Sequence, residues 1–95
     1  MIDLDLGALL ATAEIGNVPE LDLHGLTVAQ IGYEIENFLH SSWNKNDRAV
    51  RLIHGKGEGI LLRATLAILR AHELVLDYRV HETGGSTAVA LTSRN

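Results

Sequence analysis

Two short stretches of the chain combine residue types that could act on a phosphate. The first, "LDLHG" at residues 21–25, places Asp22 and His24 two residues apart. The second, "HGKGEG" at residues 54–59, sets a histidine and a lysine among three alternating glycines. A carboxylate beside an imidazole is a pairing used in general acid–base catalysis, and a glycine loop ahead of a helix can hold an anion. Their positions in the fold therefore decide whether they form a site.

The glycine loop has two interpretations. Gly55, Gly57 and Gly59 can adopt positive φ and let the backbone approach a ligand, while Lys56 adds a full positive charge. The spacing matches neither a Walker loop nor a dinucleotide-binding fingerprint. A tight strand-to-helix turn needs glycine for steric reasons alone. From the loop by itself, the two interpretations are equally supported.

Asp22, His24 and His54 are the candidate chemical groups. On a strand, Asp22 and His24 project from the same face and can share a water, a metal or a phosphate. More often, such a pair is a capping aspartate and a surface histidine at the end of a strand, with no chemical role. His54 can bind a phosphate or pack in the core as a neutral side chain. Together the three could hold a divalent metal such as Mg²⁺ or Mn²⁺, although the pattern leaves the metal undetermined.

The surrounding pattern predicts an α/β domain of order βαβαββ. "ELDLHG", "AVRLI", "LVLDYRVHE" and "TAVALT" are typical of strands. Thr27 and Gln30 form a capping box before a helix whose predicted buried stripe is Val28, Ile31, Ile35, Phe38, Leu39 and Ser42. A second helix begins at Ile60, and Gly84-Gly85 predicts a two-residue hairpin. Residues 1–18 form a leader or a short docking helix, and residues 19–95 form the domain.

This order brings the two stretches together. Neighbouring strands joined by a helix pair in parallel, so their carboxyl ends lie on one edge of the sheet, where open α/β sheets bind ligands. "LDLHG" and "HGKGEG" end the first two strands. If the third strand also runs parallel, "HETGGS" reaches the same edge.

Composition narrows the function classes. The chain has 95 residues, a net charge of −4 and no cysteine, which predicts one globular domain and excludes disulfides and cysteine-ligated zinc. With no long apolar run, it is expected to be cytoplasmic rather than membrane-bound. Six of the eight basic residues lie between Lys45 and Arg70, so any nucleic-acid binding must use a local patch. Arg63 and Arg70 form either a solvated helix face or a stripe that follows a nucleic-acid backbone.

The pair of motifs, with the later glycine pair, resembles the Smr (small MutS-related) domain family over roughly residues 19–92. The resemblance implies a two-layer βαβαββ sandwich with a four-stranded mixed sheet, similar to the C-terminal domain of translation initiation factor three. It also implies nucleic-acid binding, with nicking activity in several members. By position, Asp22 and His24 match the family's catalytic pair, and His54, Gly55, Lys56 and Gly57 match its substrate loop. Ser86-Thr87 depart from the family pattern, which commonly has another glycine there.

The resulting hypothesis is a nucleic-acid-binding domain, an endonuclease that nicks DNA or RNA. Asp22 and His24 are the predicted catalytic residues. The predicted substrate-binding residues are His54, Gly55, Lys56, Gly57, Gly59, Arg63, Gly84 and Gly85. The alternative is a binding module without catalysis that holds nucleic acid or a protein on the same edge; a small phosphorylated ligand is a third, weaker interpretation. Because the family's domain usually ends a larger protein, the chain is either free-standing or part of a longer parent.

Overall fold

The fold is a four-stranded sheet with helices on both faces, seen in a computed structural model that describes residues 5–94. In chain order, the elements are α1 (Leu6–Ile15), β1 (Glu20–Asp22), α2 (Val28–Asn44), β2 (Ala49–Ile53), α3 (Ile60–Ala71), β3 (Val75–Val80) and β4 (Ser86–Leu91). The predicted order βαβαββ and the mixed sheet are confirmed. Among residues 5–94, no helix has both the length and the apolar character needed to cross a membrane.

The sheet order β1-β2-β4-β3 places the last strand between the second and the third. β1 and β2 are parallel, while β4 is antiparallel to both β2 and β3. β3 therefore runs in the same direction as β1 and β2, which is the condition for "HETGGS" to reach the site edge. The carboxyl ends of these three strands consequently share one edge of the sheet.

The main core lies between the sheet and the pair α2 and α3. Alternation along β2 and β4 sends Val50, Leu52, Val89 and Leu91 into this core, where all four are fully buried. α2 begins with the predicted capping box, because the side chain of Thr27 and that of Gln30 each accept the other's backbone N–H. The predicted stripe is confirmed for Ile31, Ile35, Leu39 and Ser42, which are buried. The prediction was wrong for Val28, which lies in the first turn of α2 and is 51% exposed.

The opposite face of the sheet is covered by α1, which adds a layer to the predicted two. Leu10 and Ala13 pack against three small residues of β2 and β4, namely Ala49, Ala88 and Ala90. Arg51 fixes the end of this helix, because its guanidinium donates to the carbonyls of Ala13, Glu14 and Gly16 and also bonds Glu20 at 2.7 Å. The positive charge of Arg51 thus holds α1 on the sheet and is not part of a nucleic-acid surface.

Two local predictions were wrong. β1 ends at Asp22, so His24 lies in the following turn rather than on the strand. The hairpin between β3 and β4 has four loop residues, 82–85, because His81 N–H donates to the Ser86 carbonyl. A turn within it is closed by Gly84 N–H on the His81 carbonyl at 2.8 Å. Positive φ, at 80°, occurs at Gly84 alone of the glycine pair.

Candidate nucleic-acid site

A cavity of about 340 Å³ opens at the shared carboxyl edge of the sheet. Its lining runs without a break through the glycine loop into the first turn of α3, and His24 joins it from the turn after β1. The lining residues are His24, His54, Gly55, Lys56, Gly57, Glu58, Gly59, Ile60, Leu61 and Leu62. The two stretches singled out in the sequence therefore meet in three dimensions.

The glycine loop takes the backbone shape that its composition predicts. Gly55, Gly57 and Gly59 have φ of 78°, 33° and 82°, in the region where other residues are strained. Gly59 is the N-cap of α3 and offers no side chain to cap it. The amides of the first helical turn, at Ile60, Leu61 and Leu62, have no acceptor within the helix, and these three residues border the cavity. The loop thus presents backbone donors to whatever occupies the cavity.

His24 lies against this loop. A Cβ built on Gly55 would lie 3.7 Å from Cδ2 of the imidazole, so the ring lies next to this glycine, at the distance where an alanine side chain would touch it. Asp22 does not orient this ring through a hydrogen bond; its Oδ1 accepts the backbone N–H of His24 at 2.9 Å. Asp22 therefore shapes the turn that carries the histidine. Within residues 5–94, the exposed imidazole of His24 has no hydrogen-bond partner.

His54 is buried beneath the loop, with only 4% of its surface exposed. Nδ1 lies 3.1 Å from the Gly55 carbonyl, which can only accept, so Nδ1 carries a proton. Nε2 lies 2.9 Å from the hydroxyl of Thr87 on β4. With both ring nitrogens occupied, His54 holds the loop to the sheet and offers no free nitrogen to a ligand. The alternation that buries Val50 and Leu52 on β2 continues to His54 and could have indicated this.

The hairpin reaches the site through one carbonyl. The oxygen of Gly85 accepts the N–H groups of His54 and Gly55 at 3.1 and 3.0 Å, which leaves neither amide for a ligand. The stem of Lys56 passes over Gly85, because a Cβ added to this glycine would lie 3.7 Å from Cγ of the lysine. Gly84 and Gly85 therefore support the loop, while Ser86 and Thr87 are already the first residues of β4.

The charge at the cavity is mixed. Lys56 and Glu58 are both exposed at its rim. Arg63 lies beside the loop, with Nη1 3.5 Å from the Glu58 carbonyl, at the outer limit of a hydrogen bond. Lys45 is the C-cap of α2 and Arg70 lies in the last turn of α3, so both are away from this edge. The positive charges of Lys56 and Arg63 are thus offset by the carboxylates of Glu58 and, in the His24 turn, Asp22. Sequence reasoning missed Glu58 and the apolar residues of α3.

A second cluster of titratable side chains lies at the other end of α3. Glu36 Oε1 is 2.6 Å from His40 Nε2, and its Oε2 is 2.9 Å from His72 Nε2. Among residues 5–94 this is the one set of three or more whose ligand atoms are close enough to hold a metal. However, His72 Nδ1 accepts the N–H of Leu74, so its Nε2 carries the proton and donates to Glu36. This bonding favours a hydrogen-bonded cluster over a metal site.

The Smr domain family model matches residues 21–93 of the chain. Among curated relatives, the endonuclease MutS2 of Clostridium tetani is 34% identical over 73 residues, which is 76% of this chain and 9% of that protein. The endonuclease MutS2 of Fusobacterium nucleatum is 36% identical over 75 residues, 77% of this chain and 10% of that protein. The chain thus spans about a tenth of the length of these relatives.

Two solved structures share the fold. The Smr domain of Thermus thermophilus MutS2 is 37% identical, with a TM-score of 0.75, over 79% of this chain and 99% of that chain. YdaL, a stand-alone small MutS-related protein from Escherichia coli, has a TM-score of 0.76 over 97% of this chain and 80% of that chain. At 22% identity, the second match shows the fold alone. Its coverage takes in the N-terminal segment that the family model leaves out.

Proposed function

Since the chain belongs to the Smr domain family, we propose that it binds nucleic acid at the glycine-loop cavity and nicks the phosphodiester backbone there. The observation that carries the proposal is that the His24 imidazole lies next to Gly55 at a cavity bordered by the first turn of α3, which has no side-chain cap. This arrangement puts a group able to transfer protons beside a place suited to a phosphate. The relatives named as endonucleases support the same reaction class.

In the proposed mechanism, Lys56 and the first-turn amides of α3 hold the phosphate. His24 then takes a proton from the attacking oxygen or gives one to the leaving oxygen. RNA supplies its own nucleophile: the neighbouring 2′-hydroxyl loses its proton and attacks the phosphorus, the bond to the 5′-oxygen breaks, and that oxygen takes up a proton. His24 transfers one of these two protons and water transfers the other. His54 and Asp22 act indirectly, the first by holding the loop and the second by shaping the His24 turn.

Cleavage of DNA needs a water as nucleophile, which a divalent metal such as Mg²⁺ or Mn²⁺ would activate. Asp22 fits a metal of this kind, because it is exposed and one oxygen remains after Oδ1 accepts the His24 amide. Mg²⁺ commonly uses one or two carboxylates and completes its shell with waters and substrate phosphates. We also propose a cytoplasmic location, because the proposed substrate is nucleic acid.

A binding module without catalysis is the second candidate. The absence of a hydrogen bond from Asp22 to the His24 ring favours it, because that ring lacks the orienting partner common in catalytic histidines. In this case the same edge would hold nucleic acid or a partner protein without cutting anything.

A nicking assay separates the two candidates. Supercoiled plasmid and a labelled RNA are incubated with wild type, with His24→Ala and with His40→Ala, in EDTA and in Mg²⁺ or Mn²⁺. His40 is a matched control, since it is also exposed but lies on α2 beside Glu36. We expect His24→Ala alone to lose cleavage. Equal cutting by all three proteins would remove His24 from catalysis, and no cutting by wild type would favour the binding module.

Substitution of each of the two lysines of the chain tests the phosphate contact through oligonucleotide binding. Lys56→Ala should weaken oligonucleotide binding and reduce its salt dependence by about one phosphate contact. Lys45→Ala, at the far end of α2, should change neither. An unchanged affinity and salt slope for Lys56→Ala would contradict the proposed loop contact.

A further inference from the structure

The cavity is larger than a phosphate needs. Its volume of about 340 Å³ equals roughly 11 water molecules at about 30 Å³ each. It lies within the range of about 300–1,000 Å³ that is usual for pockets binding small organic ligands. A phosphate held by Lys56 and the first amides of α3 would leave most of this space unfilled. The rest has room for a bulkier part of the ligand.

The lining indicates what that part is. Ile60, Leu61 and Leu62 of α3 border the cavity together with the glycine loop, and Leu61 also packs against the main core. Ile60 is 52% exposed, although it is a large apolar side chain. The imidazole of His24 adds an exposed aromatic ring. Apolar and aromatic walls beside a phosphate site suit a nucleobase, which every nucleotide carries next to its phosphate.

We infer that the cavity takes one unpaired nucleobase next to the bound phosphate, so that the substrate is single-stranded or carries an unpaired or flipped nucleotide. This inference rests on the proposed function and specifies its substrate class. A base stacked and paired within a duplex cannot enter a cavity, whereas an unpaired base enters without breaking pairs.

The polar groups indicate that base identity is read weakly. His54 has both ring nitrogens occupied, and Lys56 is assigned to the phosphate. Glu58 is the remaining charged side chain of the lining, and it is exposed at the rim. Contact with the faces of the base tolerates every sequence, because each base has a π-face.

The test compares Ile60→Ala with Ile15→Ala by fluorescence anisotropy. Ile15 is a matched control, since it is 82% exposed at the end of α1, a helix on the other face of the sheet. Both variants should fold, because both side chains are exposed and alanine is the stronger helix former. Thermal unfolding checks this. The probes are a labelled single-stranded DNA and RNA, the corresponding blunt duplexes, and single strands with abasic positions throughout.

Ile60→Ala should bind intact single strands about fivefold more weakly, the factor expected from losing burial of about half an isoleucine side chain. It should match wild type on abasic strands and on duplexes, and Ile15→Ala should match wild type on every probe. Wild type should prefer intact single strands to the other probes. Equal binding of duplex and single strand by wild type, or equal effects of Ile60→Ala on intact and abasic strands, would overturn the inference.

The Lys56→Ala variant separates this failure from failure of the proposed function. If Lys56→Ala weakens binding but Ile60→Ala does not, the base pocket is wrong and the phosphate site stands. If wild type binds none of the probes, both proposals are overturned.

Discussion

Two buried threonines provide a matched test of whether His54 holds the glycine loop. Thr87 on β4 and Thr65 on α3 are both 0% exposed. The Thr87 hydroxyl is 2.9 Å from Nε2 of His54, whereas the Thr65 hydroxyl has no hydrogen-bond partner among residues 5–94. Valine has nearly the same shape as threonine with a methyl group in place of the hydroxyl. The substitutions Thr87→Val and Thr65→Val therefore each remove a buried hydroxyl, which is hydrogen-bonded at Thr87 and unbonded at Thr65.

The two changes should have different effects on the free energy of unfolding. Thr87→Val leaves Nε2 of a histidine that is only 4% exposed without a partner, and a buried polar group left unpaired costs about 1–3 kcal/mol. For a domain of this size, each kcal/mol lowers Tm by about 4–8 °C. Thr65→Val removes a hydroxyl that is already unsatisfied. Because threonine and valine have similar helix propensity, this variant should keep or raise the Tm.

Thermal unfolding of both variants, followed by binding measurements below their Tm, tests the reasoning in two steps. Thr87→Val should unfold at a lower temperature than wild type and, because His54 Nδ1 bonds the Gly55 carbonyl, should also bind oligonucleotides more weakly. Equal Tm values for the two variants would refute the stabilising role of the His54–Thr87 hydrogen bond. A lower Tm for Thr87→Val with unchanged affinity would show that His54 stabilises the core but does not shape the loop for binding.

Two further sets of variants test the helices. Burial raises the pKa of Glu36, but the neighbouring His72 and His40 outweigh it and hold that pKa below its ordinary value. Stability from such a carboxylate is present above its unfolded pKa of about 4.3 and is lost as the pH falls through the lower folded pKa. Glu36→Gln should therefore lower Tm near neutral pH, by a difference that shrinks as the solution is acidified; a constant difference would contradict this. Gly32→Ala should stabilise α2 by about 0.5–1 kcal/mol in a denaturation curve, because, apart from its chain neighbours and the adjacent helix backbone, no atom of residues 5–94 lies within 4 Å of the new Cβ. Gly59→Ala, at φ 82°, should destabilise by about 1–2 kcal/mol, and equal effects would refute the strain at Gly59.

Local chemistry explains why much of the fold could be predicted from sequence. The capping box at Thr27 and Gln30, the apolar period of α2 and the apolar run of β2 each act within a few residues, so each can be recognised in one stretch of chain. The start of α3 after Gly59 follows in the same way, because glycine tolerates the left-handed conformation found there. The errors at Val28 and at the hairpin lie at element ends, where exposure and loop geometry depend on the surrounding fold.

The candidate site divides along the same line. The groups at the carboxyl edge, namely Asp22, His24 and the glycine loop with Lys56, follow from the residue types and the strand order alone. Their tasks depend on the insertion of β4 between β2 and β3. That pairing puts Thr87 under His54 and the Gly85 carbonyl on the loop amides, across more than 25 residues of chain. Such contacts depend on which strands pair, and the pairing is set by burial of the whole sheet rather than by any local pattern.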